Sequence, residues 1–502
     1  MEYIIPALAN LFHIENFIWI NLGVFIGSVF AAIPGLTVIL CIILFLPFTY
    51  QMTAIPGMMF LLGIYCAGGY GGSVSAILIN TPGTPHAAAT MMDGYPLNQK
   101  GRTKTALRLA LRASTFGGIF SALVLLFLAP QVARFAAQLG TPEYFLVCVF
   151  GLTIISGISG ESLIKGVISA CIGLLVSCIG ADPMTGRPRL VFGIDRLYMG
   201  LDLAICLIGL FALSQVLTQA EGKKERVILD TSQLKKIDRI TKEETKRTIR
   251  PMLVSSIIGV IVGIIPGTGA SIASWFSYDR ARSMSKHREE FGKGSVEGIA
   301  AAESANNAVT GATLIPLLTL GIPGDGVVAI MLSALMINGL NPGLSLFTDS
   351  GDIMYAIMIG LILVNMFMYI QGRYLTNLFA KVVSIPQEIL TPIIVIFCFA
   401  GAYSVNKSYF DVAVALVFCA VAWILKRLHF PPTPIMLGIV LGRMAETNYR
   451  RALQLSSGSL KIFVSSPVCI VMIALILFVL GSVMFRQMKE RKEKTNATDE
   501  KT

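Results

Sequence analysis

The chain has 502 residues, of which 54% are hydrophobic and only 14% charged, with a mean hydropathy of +0.72 and a formal net charge of +11. A soluble globular chain carries about 25% charged residues, so this one lacks the polar surface that water requires. Its continuous apolar runs also exclude the alternating segments of about ten residues that make a transmembrane β-barrel. The fold class expected is an all-α polytopic membrane protein.

Taken in chain order, the apolar segments fall at 17–46, 57–80, 104–129, 143–160, 163–181, 197–219, 251–276, 295–320, 326–346, 352–380, 387–404, 409–425, 433–445 and 461–485. A helix needs about 20 residues to cross hydrocarbon, and several of these are short, long or interrupted, so about 10–12 true spans are expected. The start, "MEYIIPALANLFHIEN", has no basic region and no small-residue cleavage site, so the first apolar segment is expected to stay in the mature protein. The segment 431–460 mixes apolar and charged residues and does not read as an ordinary span.

The positive charge is not distributed as a nucleic-acid footprint. Residues 221–250 hold ten Lys or Arg, and the loop with Lys100, Arg102 and Lys104 and the tail from Arg486 onward are basic too. All three lie beside apolar runs, as the positive-inside bias produces, and all three are placed in the cytoplasm. Such loops also attract anionic lipid. The nine cysteines lie in or beside apolar runs without a CxxC pair, and the four histidines are scattered, so neither a disulfide nor a metal site is expected.

The basic stretch divides the chain into a repeat at 1–220, a cytoplasmic linker at 221–250, a second repeat with additional helices at 251–485, and a basic tail at 486–502. The halves echo each other in order. "LGVFIGSVFAAIPG" (22–35) resembles "IGVIVGIIPG" (258–267), "INTPGTP" (79–85) resembles "LGIPGDG" (320–326), and "MMDGYPL" (91–97) resembles "LMINGLNPGL" (335–344). Paired Gly/Pro interruptions at corresponding positions of two halves point to a transporter binding site. The charge map adds a constraint. Residues 251–276 run between two basic stretches, the second holding Arg280, Arg282, Lys286, Arg288 and Lys293. Entry and exit on the same side requires a reversal, placed at Ile265, Pro266, Gly267, Thr268 and Gly269 as a re-entrant hairpin, which is allowed at membrane depth where protein or water covers it. The loop 182–196, with three Arg and two Asp, fits this map less well.

A single proline only kinks a helix. Pro82 and Pro85 around Gly83, and Pro323 among Gly321, Gly324 and Gly326, suffice to unwind one. Unwinding frees N–H groups and points a partly positive half-helix N-terminus at the break. Asn80, Thr81, Thr84 and the N–H groups within 83–86, those of Gly83, Thr84 and His86, can then receive a carboxylate without any arginine. Asp325 sits in an otherwise uncharged stretch, where a carboxylate costs about 2.5–3.5 kcal/mol on insertion scales, so it is a candidate for a coupling cation or proton; an N-cap is the competing reading. Glu303, Asn306, Asn307 and Thr310 share one helix face at i, i+3, i+4, i+7 spacing, with interhelical hydrogen bonding as the competing reading. Asp93, in "MMDGYP", is a candidate of the same kind, although Asp-Gly is also a common turn. Glu143, Glu161, Asp195, Asp202 and Asp411 lie near span ends and read as solvated.

The stretches "GGSVSAILINTPGTPHAAATMMDGYPL" (71–97), "GIIPGTGASIASW" (263–275), "GSVEGIAAAESANNAVTGATLIPLLTLGIPGDGVVAIMLSAL" (294–335) and "PIMLGIVLGRMAETNYRRAL" (434–453) together resemble the large membrane subunit of the bacterial tripartite tricarboxylate transporters. The resemblance covers nearly the whole chain in order. It implies a small four-span membrane subunit and a periplasmic solute-binding protein as partners, an inner-membrane location with a cytoplasmic C-terminus, and import of tricarboxylates or other organic anions driven by an H+ or Na+ gradient rather than ATP. It marks Asn80, Thr81, Pro82, Gly83, Thr84, Pro85, Asp93 and Gly94, then Pro266, Gly267, Glu303, Asn306, Asn307, Pro323, Gly324 and Asp325. The expected division of labour puts substrate at 80–85, Asn306, Asn307, Pro323 and Gly324, and ion coupling at Asp325, Glu303 and Asp93. No cofactor and no enzymatic activity are expected.

Rivals from other classes fit less well. Tyr278-Asp279 and Gly324-Asp325 are similar to the paired motifs of intramembrane aspartyl proteases, but position 322 is Ile where that motif wants Gly, and Asp279 opens a charged loop. The chain has neither HExxH nor the GxxxxGK[ST] of an ATP-driven pump. A channel remains as an alternative, against which the paired breaks favour alternating access.

Overall fold

The structure, a computed structural model, describes residues 3–158, 162–221, 238–383, 385 and 387–499. Glu161 and the linker cations Lys223, Lys224, Arg226, Lys235 and Lys236 lie outside the described residues. Among those described, the only sheet is a two-residue hairpin pairing Gly180–Ala181 with Pro188–Arg189; everything else is helix and connection. Among the described residues eight helices are long and apolar enough to cross a membrane, and the protein is an all-α polytopic membrane protein.

The first half runs α1 (Ile4–Leu11), α2 (Ile14–Ala32), α3 (Val38–Thr49), α4 (Ala54–Ile79), α5 (Ala88–Gln99) and α6 (Thr103–Ala136). Then come α7 (Thr141–Ile158), α8 (Leu163–Ser177), α9 (Leu203–Leu207) and α10 (Ser214–Glu221). The second half runs α11 (Lys242–Ile264), α12 (Gly269–Met284), α13 (Val296–Ala312), α14 (Leu314–Leu320), α15 (Gly326–Ile337), α16 (Leu344–Thr348) and α17 (Gly351–Val382). The chain closes with α18 (Gln387–Asn406), α19 (Tyr409–Arg427), α20 (Pro432–Leu455) and α21 (Pro467–Asp499). The chain forms two compact units, one of residues 1–136 and 211–416, the other of 137–210 and 417–502.

In the first unit, α2 packs along α4 and α11 along α13. Both contacts use the glycine pairs seen in the sequence. A methyl added at Gly27 would lie 2.7 Å from the Ile64 Cα, and one at Gly263 would lie 2.7 Å from the Ala312 Cβ. Such backbone-to-backbone packing is what small residues four apart provide in membranes, where no hydrophobic force holds helices together. α2 ends at Ile33-Pro34-Gly35, where Gly35 turns the chain at φ 86° into α3. The apolar segment 17–46 is therefore two helices, because proline and a left-handed glycine break it in the middle. The corresponding turn at 265–268, with Gly267 at φ 84° and Gly269 at φ 67°, joins α11 to α12.

The basic segments of this unit meet at one end. Arg102 donates to both oxygens of Glu244 (2.5 and 3.0 Å), the Thr105 N–H donates to Asp238 (2.7 Å), and Arg247 pairs with Glu290 and Glu297. Glu244 also closes a capping box with Thr241 that starts α11. Because Arg247 opens α11 and Glu290 follows α12, that helical hairpin enters and leaves at the same end.

In the second unit, α20 packs on α7 and α8. Asp182 organises the β-hairpin: its carboxylate accepts from the Met184 and Thr185 N–H groups (2.8 and 2.9 Å) and from Arg450 (2.6 Å), and Arg189 pairs with Glu446. The Arg450 bond, with those two backbone donors, holds the Asp182 carboxyl well below the usual carboxylate range. Two of the five charges of loop 182–196, Asp182 and Arg189, are thus paired with α20.

Candidate functional site

Both sequence interruptions break a helix, and they do so in the same way. α4 ends on Asn80 in the left-handed conformation (φ 56°), and α14 ends on Gly321 in the same conformation (φ 73°). Asn is the residue other than Gly that tolerates this region best. After each end the chain folds back on its own helix. The Gly83 N–H donates to the Gly72 carbonyl (3.1 Å), eleven positions earlier. Gly324 lies against Thr313, also eleven positions earlier, so closely that an added methyl would sit 2.7 Å from the Thr313 Cβ. The hairpin turns abut these folds: a methyl on Gly83 would collide with the Ala31 carbonyl at the end of α2, and the Gly267 N–H donates to the Gly324 carbonyl (2.7 Å). The second hairpin arms then cross over, α3 packing on α15 and α12 on the short turn Pro85–Ala87.

In this alignment Thr84 corresponds to Asp325. Thr84 is buried against Gly72, and its hydroxyl has no hydrogen-bond partner among the described residues. Asp325 caps α15 by accepting from the Val328 N–H (2.8 Å), and its other oxygen accepts from the Tyr65 hydroxyl of α4 (2.5 Å). Tyr65 and Gly72 stand seven residues apart on α4, which puts both fold-backs on one face of that helix, about 10 Å apart along its axis at 1.5 Å per residue. Asn80, Thr81 and Pro85 are exposed, whereas Gly83, Thr84, Pro323 and Gly324 are buried. The Gly83 N–H is already spent on Gly72 and is not free for a ligand.

Between the fold-backs, α4 and α13 form a polar seam. Every residue of α13 is buried. Asn306 donates to the Gly69 carbonyl and Asn307 to the Cys66 carbonyl, both at 3.3 Å, while the Asn307 carbonyl oxygen of the side chain is buried without a partner. Thr310 donates to the Asn307 backbone carbonyl (2.7 Å). Glu303, one turn earlier, is fully buried and accepts from the hydroxyls of Ser73, Thr90 and Ser114, the last at 2.6 Å. Asp93 takes a different place. One of its oxygens accepts from the Gly294 and Ser295 N–H groups (both 2.9 Å), so it caps the entry to α13 beside Tyr278. Asp279 is exposed on α12, and Tyr278 packs on Phe291, so the two aspartates of a protease dyad are not brought together.

Sequence reasoning did not single out Tyr65, Ser73, Thr90 or Ser114. Hydroxyls are common in membrane helices and usually bond the carbonyl one turn back, so only their tertiary neighbours distinguish these.

Buried polar seams, two folded-back helix breaks and paired helical hairpins define a membrane-embedded transport protein of the polytopic α-helical class. Residues 17–437 match the family described as the tripartite tricarboxylate transporter TctA family, and the chain belongs to it. A protein of Agrobacterium vitis described as "Uncharacterized 52.8 kDa protein in TAR-I ttuC' 3'region" is 34% identical over 481 residues, 95% of each chain. A second from that organism, "Uncharacterized protein in TAR-II ttuC' 3'region", is 34% identical over 242 residues, 48% of this chain and 100% of its own length. No solved structure matches this chain significantly.

Proposed function

We propose that the chain is the translocation subunit of a binding-protein-dependent secondary transporter that imports tricarboxylates or related organic anions by symport with H+ or Na+. The observation that carries this is the pair of fold-backs on one face of α4, separated by about 10 Å, with an unpartnered hydroxyl at one (Thr84) and a carboxylate at the other (Asp325). A small organic anion spans that interval. Substrate lies nearer the neutral groups of Thr84, Gly83, Asn306 and Asn307. The cation lies at a carboxylate, either Asp325 beside Tyr65 or Glu303, which bonds Ser73 next to Gly72 and so stands at the Thr84 end of the interval. The matching sequence of elements, α2–α6 and α11–α17, supports two repeats of opposite orientation that expose the site to one side at a time. The partners are a small four-span membrane subunit and a periplasmic solute-binding protein. The chain sits in the bacterial inner membrane with its basic loops and C-terminus in the cytoplasm, consistent with the meeting of Arg102, Glu244 and Arg247 at one end.

The test is uptake of labelled organic acids into vesicles holding all three components, with the proton and sodium gradients set independently. Gradient-dependent uptake that is lost in Asp325→Asn and weakened in Asn80→Ala is expected. Uptake that ignores every gradient, or is unchanged in both variants, would contradict the reading.

A further inference from the structure

Glu303 is a buried carboxylate with neutral company. Ser73 from α4 and Thr90 from α5 both donate to one of its oxygens, and Ser114 from α6 donates to the other at 2.6 Å. The ion pairs among the described residues lie elsewhere, at the ends of helices. Several other hydroxyls of this unit follow the usual habit of bonding their own helix: Thr115 donates to the Leu111 carbonyl (2.8 Å) and Ser304 to that of Ala300 (2.7 Å). Ser73, Thr90 and Ser114 instead converge from three helices on one side chain. A further hydroxyl, that of Tyr70, is fully buried without a hydrogen-bond partner among the described residues, and it lies within electrostatic reach of Glu303.

An unbalanced charge at such a place is costly and is neutralised by whatever the site admits. This cage offers two carboxylate oxygens and three hydroxyl oxygens. All are hard oxygen ligands, which exclude metals that want nitrogen or sulfur. Their single negative charge balances a monovalent cation, whereas divalent ions take sites richer in carboxylate. Five converging oxygens suit a small ion such as Na+ better than K+, whose larger shell needs more of them.

We propose that Glu303, Ser73, Thr90 and Ser114 form a Na+ site. Three of its helices belong to the first half and α13 to the second, so the ion joins the halves where α4 and α13 cross. This deepens the ion-coupling reading above, and its role in coupling rests on that reading; the binding itself does not.

The test uses the purified full-length chain in nanodiscs, without partners or organic acid, and follows the thermal unfolding midpoint as NaCl replaces choline chloride at constant ionic strength. A saturable rise with Na+ that K+ does not reproduce is expected. Thr90→Ser should keep the response, Ser114→Ala should raise the half-saturating Na+ at least tenfold, and Glu303→Gln should abolish it. A midpoint indifferent to Na+, one that responds only to pH, or a Na+ response that survives Glu303→Gln would overturn the site. Uptake separates the two readings. Gradient-driven uptake without Na+ binding removes the cage and leaves the transporter, whereas Na+ binding without any uptake does the reverse.

Discussion

Thr84 and Asp325 occupy the same place in two copies of one device, and they are treated oppositely by their surroundings. Each follows a left-handed helix end and a Pro-Gly fold-back that returns eleven residues along its own helix. Asp325 is satisfied twice, by Val328 and by Tyr65. The Thr84 hydroxyl is satisfied by nothing among the described residues. A buried hydroxyl without a partner costs the fold rather than supporting it. A carboxylate that caps a helix and bonds a tyrosine is held ready at its own expense. The symmetry of the backbone and the asymmetry of the side chains suggest one scaffold with two chemical tasks.

The largest effect on uptake should come from Asp325→Asn. Asparagine is an equally good N-cap, so α15 stays formed, while the charge disappears; gradient-driven uptake should fall at least tenfold, about 1.4 kcal/mol, with little change in the unfolding midpoint. Equal losses of both would make Asp325 a purely structural cap. Tyr65→Phe should come next. It removes a hydrogen bond to a charged group and should cost about 1.5–3 kcal/mol of stability, read as a lower midpoint in denaturant; an unchanged midpoint would show that the Tyr65–Asp325 contact is not formed in the membrane.

Thr84→Val should be the counter-case. It keeps the shape and removes only the unpartnered hydroxyl, so stability should hold or rise, by up to about 1–3 kcal/mol, while the organic-anion concentration for half-maximal uptake rises severalfold. A clear loss of stability would reveal a hidden partner for that hydroxyl.

The smallest effect concerns Asp182, a carboxylate whose task is to hold a hairpin and which serves as the contrast to Asp325. Its folded-state acidity is strengthened by Arg450. A carboxyl depressed in this way contributes stability that is complete above the ordinary Asp value, about 4, and is lost as pH falls from there toward the depressed value. Hydrogen exchange of the 180–189 amides, corrected for intrinsic rates, should show protection declining below about pH 4, with a shallower decline in Arg450→Gln because less remains to be lost. Identical slopes would contradict the pairing.

The helical class and the two breaks were legible because their causes are local. Long uncharged runs have one solution in lipid, and Pro with Gly interrupts a helix wherever it falls. The reversal at 265–269 was legible through the basic residues on either side of it. The matching reversal at Pro34-Gly35 was not, since no Lys or Arg flanks 17–46, although "IPG" stands in both halves. Glu303 stood out as an acid in an apolar helix. Its three hydroxyl partners did not, because Ser73, Thr90 and Ser114 come from three helices and differ from ordinary membrane hydroxyls only in where they point. Asp93 was legible as unusual but not as a cap, because Gly294 and Ser295 lie some 200 residues further along the chain.

The most direct measurement of whether the two fold-backs share one anion is a double-mutant cycle with Thr84→Val and Asp325→Asn, read as equilibrium binding of a labelled tricarboxylate to the purified chain. Residues more than about 7–10 Å apart with no shared partner have additive effects within about 0.3–0.5 kcal/mol, whereas groups that share one couple by about 0.5–3 kcal/mol. With anion as the readout, coupling above about 0.5 kcal/mol is expected, while the same cycle read as stability without anion should be additive. Additive effects on anion binding would mean that the two breaks do not face a common ligand.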